Sequence, residues 1–259
     1  MNLGGRWRSA RAQLQLPNII IATAVVGIIV LVLVLGVQRG YIGVSTAIYL
    51  AVLFPSIILH EVSHGVVALW CGDDTAKRAG RLTLNPLAHI DPIGSIVVPI
   101  LMVLSGGPPF GWAKPVPVNI GRLRHPRDQS VLVSLAGPAT NIILASIAGV
   151  IFNILIRAVP HEMIGGQIYP DASINLVTQI VYYFGIVNII IAVFNLIPIP
   201  PLDGSALVER LLPASALPQY YRMRFGFIVI VLLLVFFDQN ALRDVFNHFE
   251  TWYLDIFAR

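Results

Sequence analysis

The stretch H-E-V-S-H, His60 to His64, sets two imidazoles and a carboxylate inside the apolar run Val44 to Trp70. On a helix, residues four apart lie nearly one above the other, so His60 and His64 can face a single cation. Glu61 then stands about 60° round the helix from His64, beside such an ion without having to bind it. That placement suits a base acting on water at a metal. Ionisable groups at membrane depth are costly and usually functional. The plainer alternative is a pair of hydrogen-bonded core histidines with Glu61 paired or neutral.

Catalytic zinc takes three protein ligands and keeps one position open, so a third ligand has to come from elsewhere. Asp73, Asp74, His89 and Asp91 follow the motif. A better candidate lies in N-L-I-P-I-P-P-L-D-G, residues 195–204, at the end of a later apolar run. Pro198, Pro200 and Pro201 cannot continue a helix. The chain must unwind there, and irregular backbone at membrane depth is tolerated only inside protein or against water. Asp203 on such a segment is well placed to reach an ion, although aspartate before glycine is also an ordinary turn pair. Asn188 and Asn195, seven residues apart, share a helix face. Asn195 is a candidate donor to an oxyanion, with a helix-packing amide as the alternative. Ser134, Gly137 and Asn141 share another face, which suits close helix packing. A structural role is expected for Asn141 ahead of substrate contact, and His89 and Asp91 are expected near the site without ligating.

These residues need a membrane scaffold. Hydrophobic residues make up 56% of the 259 and charged residues 12%, against about 25% charged in a soluble domain. The chain therefore reads as an all-α polytopic membrane protein. Its apolar runs are Ile19 to Val37, Val44 to Trp70, Ile93 to Leu104, Ser130 to Ile156, Leu176 to Ile197 and Phe225 to Phe237. A span takes roughly 20 apolar residues, which predicts about five spanning helices. The third run is too short and is flanked by Pro92, Gly106, Gly107, Pro108 and Pro109.

Arginines before the first run hold the N-terminus in the cytoplasm. The loops 71–90 and 106–129 both carry basic residues, so both ends of the third run lie on the cytoplasmic side. The run is expected to dip into the membrane and return. After Phe237, Leu242, Val245, Phe246, Phe249, Trp252, Tyr253, Ile256 and Phe257 recur at helical spacing, giving a C-terminal amphipathic helix expected to lie in the membrane interface, with docking onto the bundle or a partner chain as the alternative. Trp112 to Asn119 reads as a short membrane-associated strand or hairpin. Pro115 and Pro117 strip donors from one edge, while Lys114, Val116 and Val118 keep theirs on the other for an added substrate strand. A plain proline-rich loop is the alternative.

The chain divides into 1–43, a cytoplasmic tail and first helix; 44–204, the core; and 205–259, the last helix and amphipathic segment. Its 17 Lys+Arg against 13 Asp+Glu sit mainly in short loops, where they set orientation, and no nucleic-acid module is visible. The single Cys71 excludes an internal disulfide framework.

H-E-x-x-H in one span and N-x-x-P-x-P-x-L-D-G at the end of a later one resemble the site-2 protease family of intramembrane zinc metalloproteases. G-R-L-T-L-N-P-L-A-H-I-D-P-I-G (80–94), F-G-W-A-K-P-V-P-V-N (110–119) and A-G-P-A-T-N (136–141) also resemble its compact members, in the family's order. The resemblance spans about Phe54 to Gly204. It implies one zinc per chain bound by His60, His64 and Asp203, with Glu61 catalytic, and it supports Asn195 as the oxyanion donor. It also implies an integral, multi-pass cell-membrane enzyme that hydrolyses peptide bonds within or beside transmembrane segments of protein substrates in the lipid bilayer. The PDZ and CBS domains of larger members have no room here. A metal transporter would want successive weak sites along a pathway, and a noncatalytic binder of membrane proteins would have no need of Glu61. A zincin of the prenyl-protein protease type would be expected to recruit a glutamate as third ligand.

Overall fold

A computed structural model of the chain describes residues 33–104, 111–158, 175–213, 215–223 and 239–258, with isolated positions 23, 27, 30, 31 and 226. Its helices are α1 (Val44–Trp70), α2 (Thr75–Arg78), α3 (Val98–Leu104), α4 (Pro126–Arg157), α5 (Leu176–Leu196), α6 (Ser205–Leu211) and α7 (Gln239–Phe257). Three of them, α1, α4 and α5, are long and apolar enough to cross a membrane. Most of the first and last apolar runs lies outside the described residues, as does the segment 105–110.

The three long helices form the bundle. His60 meets Asn141 and His64 meets Val133, so α1 and α4 run antiparallel. Asn141 meets Asn188 and Phe152 stacks on Tyr182, so α5 is antiparallel to α4 and parallel to α1. Lipid tails are as apolar as the core, so such helices associate through close packing and hydrogen bonds. The packing centres on Phe152, Ile156, Tyr182, Ile186 and Ile190 between α4 and α5, and on Ile48, Val52, Leu53 and Val187 between α1 and α5. The C-terminal ends of α1 and α5 and the N-terminal end of α4 share one end of the bundle. There, Arg210 of α6 pairs with Asp128 of α4.

Helix α1 stops at Gly72, which takes φ +108°. The Gly72 and Asp73 amides bond back to Leu69 and Ala68, a glycine-terminated cap that satisfies the last carbonyls. Gly80 repeats the device after α2, with φ +66° and the Arg81 amide bonded to Ala76.

The third apolar run does not form a spanning helix. Pro92–Val97 makes a π-helical turn capped by the Asp91 carboxylate and passes into the short α3. The Trp112 amide donates to the Gly94 carbonyl (3.0 Å) and the Ser95 hydroxyl to the Trp112 carbonyl (2.9 Å). The chain after the run thus lies against its first residues.

Two expectations are corrected. Among the described residues there is no strand: Trp112 to Asn119 is extended without a ladder partner. The Lys114 and Val116 amides, expected to face a substrate, are satisfied inside the protein, by the His89 carbonyl (2.8 Å) and the Glu61 carboxylate (2.8 Å). A free row of N–H groups is avoided by turning it inward.

Helix α7 docks on the bundle instead of lying only in an interface. Its apolar stripe divides. Phe249, Tyr253 and Phe257 pack on α4 and α5, whereas Trp252 and Ile256 stay exposed. Gly149 and Gly185 make the room, for a Cβ at either would overlap Phe257 or the Tyr253 hydroxyl. The Tyr253 hydroxyl bonds the Ala145 carbonyl (3.0 Å), and the Tyr182 hydroxyl meets Glu250.

Asp73 is buried and ties the end of α1 to the extended segment. Its carboxylate accepts from the Asn119 amide (2.6 Å), the Thr75 amide (3.0 Å) and the Thr75 hydroxyl. Burial alone raises its pKa; the Thr75 hydroxyl, the two amides and Arg122 outweigh that and hold it below the ordinary 3.8. A carboxylate lowered in the folded state contributes its full stability above the unfolded pKa and loses it as pH falls through the folded one. Thermal melts in detergent should therefore show stability falling from about pH 4 downward, with a shallower fall in Asp73→Asn. Asp73→Ala should cost about 1–3 kcal/mol, because two part-buried amides and the Thr75 hydroxyl lose their acceptor.

Candidate metal centre

The centre forms where α1, α4 and the α5–α6 connection meet. His60 and His64 stack along one face of α1, both buried, with their Nε2 atoms 3.1 Å apart. Helix α5 ends at Leu196, and the proline-rich stretch turns back so that the Gly204 amide bonds the Asn195 carbonyl (2.6 Å). Gly204 is needed because a Cβ there would overlap the Leu196 carbonyl. The Tyr220 hydroxyl holds the turn at the Pro198 carbonyl (2.7 Å). Asp203 Oδ2 thereby comes to 3.1 Å from His60 Nε2 and 3.3 Å from His64 Nε2.

The hydrogen-bond polarity around these atoms is fixed by carbonyls that can only accept. Val133 O lies 2.7 Å from His64 Nδ1, so that nitrogen carries the proton. The Phe184 carbonyl (2.8 Å) requires the Asn188 amide nitrogen on its side, which also donates to the Ser56 hydroxyl (2.9 Å). Asn188 Oδ1 then accepts from Asn141 Nδ2 (2.6 Å), and Asn141 Oδ1 accepts from His60 Nδ1 (2.5 Å).

Both imidazoles therefore carry a proton on Nδ1 and, when neutral, turn the Nε2 lone pair inward. Asp203 Oδ2 faces them, buried and without a hydrogen-bond donor. With neutral imidazoles three lone pairs converge with no proton among them, an arrangement that repels itself unless a cation, a metal ion or a further imidazole proton, lies between. Tetrahedral ligands at about 2.0–2.1 Å from zinc are separated by about 3.3–3.4 Å, close to the spacings here. His60, His64 and Asp203 fit a zinc ion.

Gly137 lines the same space. A Cβ there would sit 2.5 Å from His60 Cε1 and His64 Nε2. The sequence marks this glycine as a packing position, and the surface it packs against is the ligand pair. Glu61, next to His60, stays outside the cluster, with Oε2 on the Val116 amide.

Asn195 is turned the other way: its amide nitrogen donates to the Ile191 carbonyl one turn back (3.0 Å). His89 ligates nothing in the cluster. Its Nε2 donates to the Thr83 carbonyl (2.8 Å), and burial foremost, with Arg81, lowers its pKa against the opposing pull of the Thr83 bond and Glu61. Asp91 is a helix cap, and Asp74 pairs with Arg78 and Arg122. The roles of Ser56 and Asn188 escape the sequence reading. The available signal was a hydroxyl and an amide in apolar helices, which seek partners across helix interfaces.

A membrane helix bundle with a His-His-Asp centre and an adjacent carboxylate defines a membrane metalloenzyme. Residues 48–236 match peptidase family M50. YwhC of Bacillus subtilis (strain 168), named as a candidate zinc metalloprotease, is 40% identical over 200 residues, which is 75% of this chain and 84% of that protein. Rip2 of Mycolicibacterium smegmatis, also so named, is 30% identical over 218 residues, covering 83% of this chain and 76% of that protein. Rip2 of Mycobacterium tuberculosis (strain H37Rv) is 28% identical over 202 residues, covering 78% and 70%. No solved structure matches the chain. The chain belongs to peptidase family M50, the site-2 protease family, and is a zinc metalloprotease of that type.

Chelator competition on the purified protein should show Asn141→Ala weakening zinc binding about 10- to 100-fold, the usual cost of losing the group that orients a ligand histidine. Gly137→Ala should weaken it further at unchanged helix content, since its methyl group displaces the imidazoles. Wild-type affinity in both variants contradicts this account of the centre.

Proposed function

We propose that the enzyme cleaves peptide bonds within or beside the transmembrane segments of protein substrates, with His60, His64 and Asp203 as ligands of one zinc and Glu61 as the base. The observation that carries this reading is the convergence of three lone pairs at the end of a membrane bundle, with an acid beside them that is not spent on ligation. Zinc held there supplies Lewis acidity, which acidifies a water and polarises a carbonyl. Glu61 uses its two oxygens differently. Oε2 is fixed on the Val116 amide, so Oε1 is the atom that takes the proton from water and returns it to the leaving amide nitrogen. Asn195 contributes as oxyanion donor only if its amide leaves the Ile191 carbonyl, a one-turn rearrangement that substrate binding has to drive.

In the same reading the N-terminus is cytoplasmic, the first and last apolar runs add two spans to the three long helices, and Ile93 to Leu104 enters the membrane and returns. The contact of Trp112 with Gly94 supports that return. The metal end of the bundle then faces the cytoplasm, from which water reaches the site. A metal transporter is disfavoured because the three ligands form one compact centre.

Glu61→Gln should retain bound zinc and lose cleavage by about 10²–10⁴-fold, the range for removing a general base. The assay is purified protein in detergent with a panel of single-span substrates. Undiminished cleavage by Glu61→Gln refutes Glu61 as the base, and an absence of cleavage by wild type across the panel counts against the substrate class.

A further inference from the structure

The segment 80–94 carries none of the chemistry above, yet it supplies a buried cation bonded to the same extended segment that holds Glu61. Arg81 is only 9% exposed and forms no ion pair among the described residues. Burying a cation without a carboxylate is expensive. Its Nη2 instead donates to two successive carbonyls of the extended segment, Lys114 O (2.6 Å) and Pro115 O (3.3 Å). The Gly80 cap fixes where Arg81 leaves the backbone.

The next donor along that segment is the Val116 amide, which holds Glu61 Oε2 (2.8 Å). Its neighbours are Pro115 and Pro117, which have no N–H. A slip of one residue in either direction would present Glu61 with a proline nitrogen and no hydrogen bond. The orientation of Glu61 therefore depends on the register of this segment. The carbonyls gripped by Arg81, with the Lys114 amide on the His89 carbonyl (2.8 Å), set that register immediately before Val116.

We propose that Arg81 is a positioning residue for catalysis: by gripping the Lys114 and Pro115 carbonyls it holds the Val116 amide where it orients Glu61. This rests on the reading of Glu61 as the base. Both bonds come from Nη2 alone, and a guanidinium suits the task because its rigid plane fixes where that nitrogen sits, whereas an ammonium on a flexible stem is held less firmly.

The test uses the full chain in detergent and a single-span reporter protein that wild type cleaves. Arg81→Ala should keep bound zinc and KM near wild type and lower kcat by about 10- to 100-fold, the scale of a misplaced catalytic group. Hydrogen exchange should speed up at the Lys114 and Val116 amides in Arg81→Ala. Glu61→Gln, measured in parallel, separates the two readings. If Glu61→Gln cleaves normally, the base assignment falls and the Arg81 assignment with it. If Glu61→Gln is inactive and Arg81→Ala has wild-type kcat, loses zinc, or leaves exchange unchanged, only the Arg81 assignment is overturned. Arg81→Lys, the gentler change, should fall between wild type and the alanine variant; equality with wild type in both kcat and exchange also overturns it.

Discussion

Two imidazole nitrogens and a carboxylate oxygen face one another at 3.1–3.3 Å, and with neutral imidazoles their lone pairs all point inward. Much of the surrounding structure enforces this close approach. A histidine could escape by moving its proton to Nε2 and bonding Asp203. The Val133 carbonyl prevents that for His64. For His60 the prohibition is relayed from the Phe184 carbonyl through Asn188 and Asn141. Each link is buried, and an unpaired polar group at such a site is costly. The helices are thereby locked in an arrangement that only a cation completes.

The same network explains how three apolar helices find a single register. Packing among lipid-facing helices is weakly directional, whereas the line Ser56–Asn188–Asn141–His60 crosses α1, α5 and α4 and is satisfied in only one alignment. Small residues then allow the close approach: Gly137 under the imidazoles, and Gly149 and Gly185 under the aromatic side chains of α7. Stability and metal chemistry depend on the same contacts.

Around Glu61 the logic differs. The extended segment 112–119 is pinned to Gly94, His89, Glu61 and Asp73 through backbone amides. Prolines between the pinning points remove the alternatives. Glu61 is thus oriented by main chain, which offers a donor without a titratable group and without side-chain freedom. Among residues that belong to peptidase family M50 by sequence, this arrangement gives the catalytic-looking carboxylate one fixed oxygen and one free one.

Much of this was legible from residue types and spacing. H-E-x-x-H reads as a ligand pair because helical geometry alone puts residues four apart on one face. The prolines of 195–204 announce an unwound segment because they lack a donor. The short third run fails as a span on length. What one dimension could not supply was the partner of each polar group. Asn195 could be read as an oxyanion donor or as a helix-packing amide, and only the fold shows its nitrogen on the Ile191 carbonyl. The donor edge of 112–119 was read as open, and the fold closes it on Glu61 and His89. The apolar stripe of α7 left interface and bundle as alternatives, and glycines distant in sequence decide it by letting part of the stripe enter the bundle. Local periodicity determined which segments are helices and which residues could hold a metal. Only the tertiary structure decided which lone pairs meet, because that depends on carbonyls and small residues brought from other helices, and they carry no mark of it along the chain.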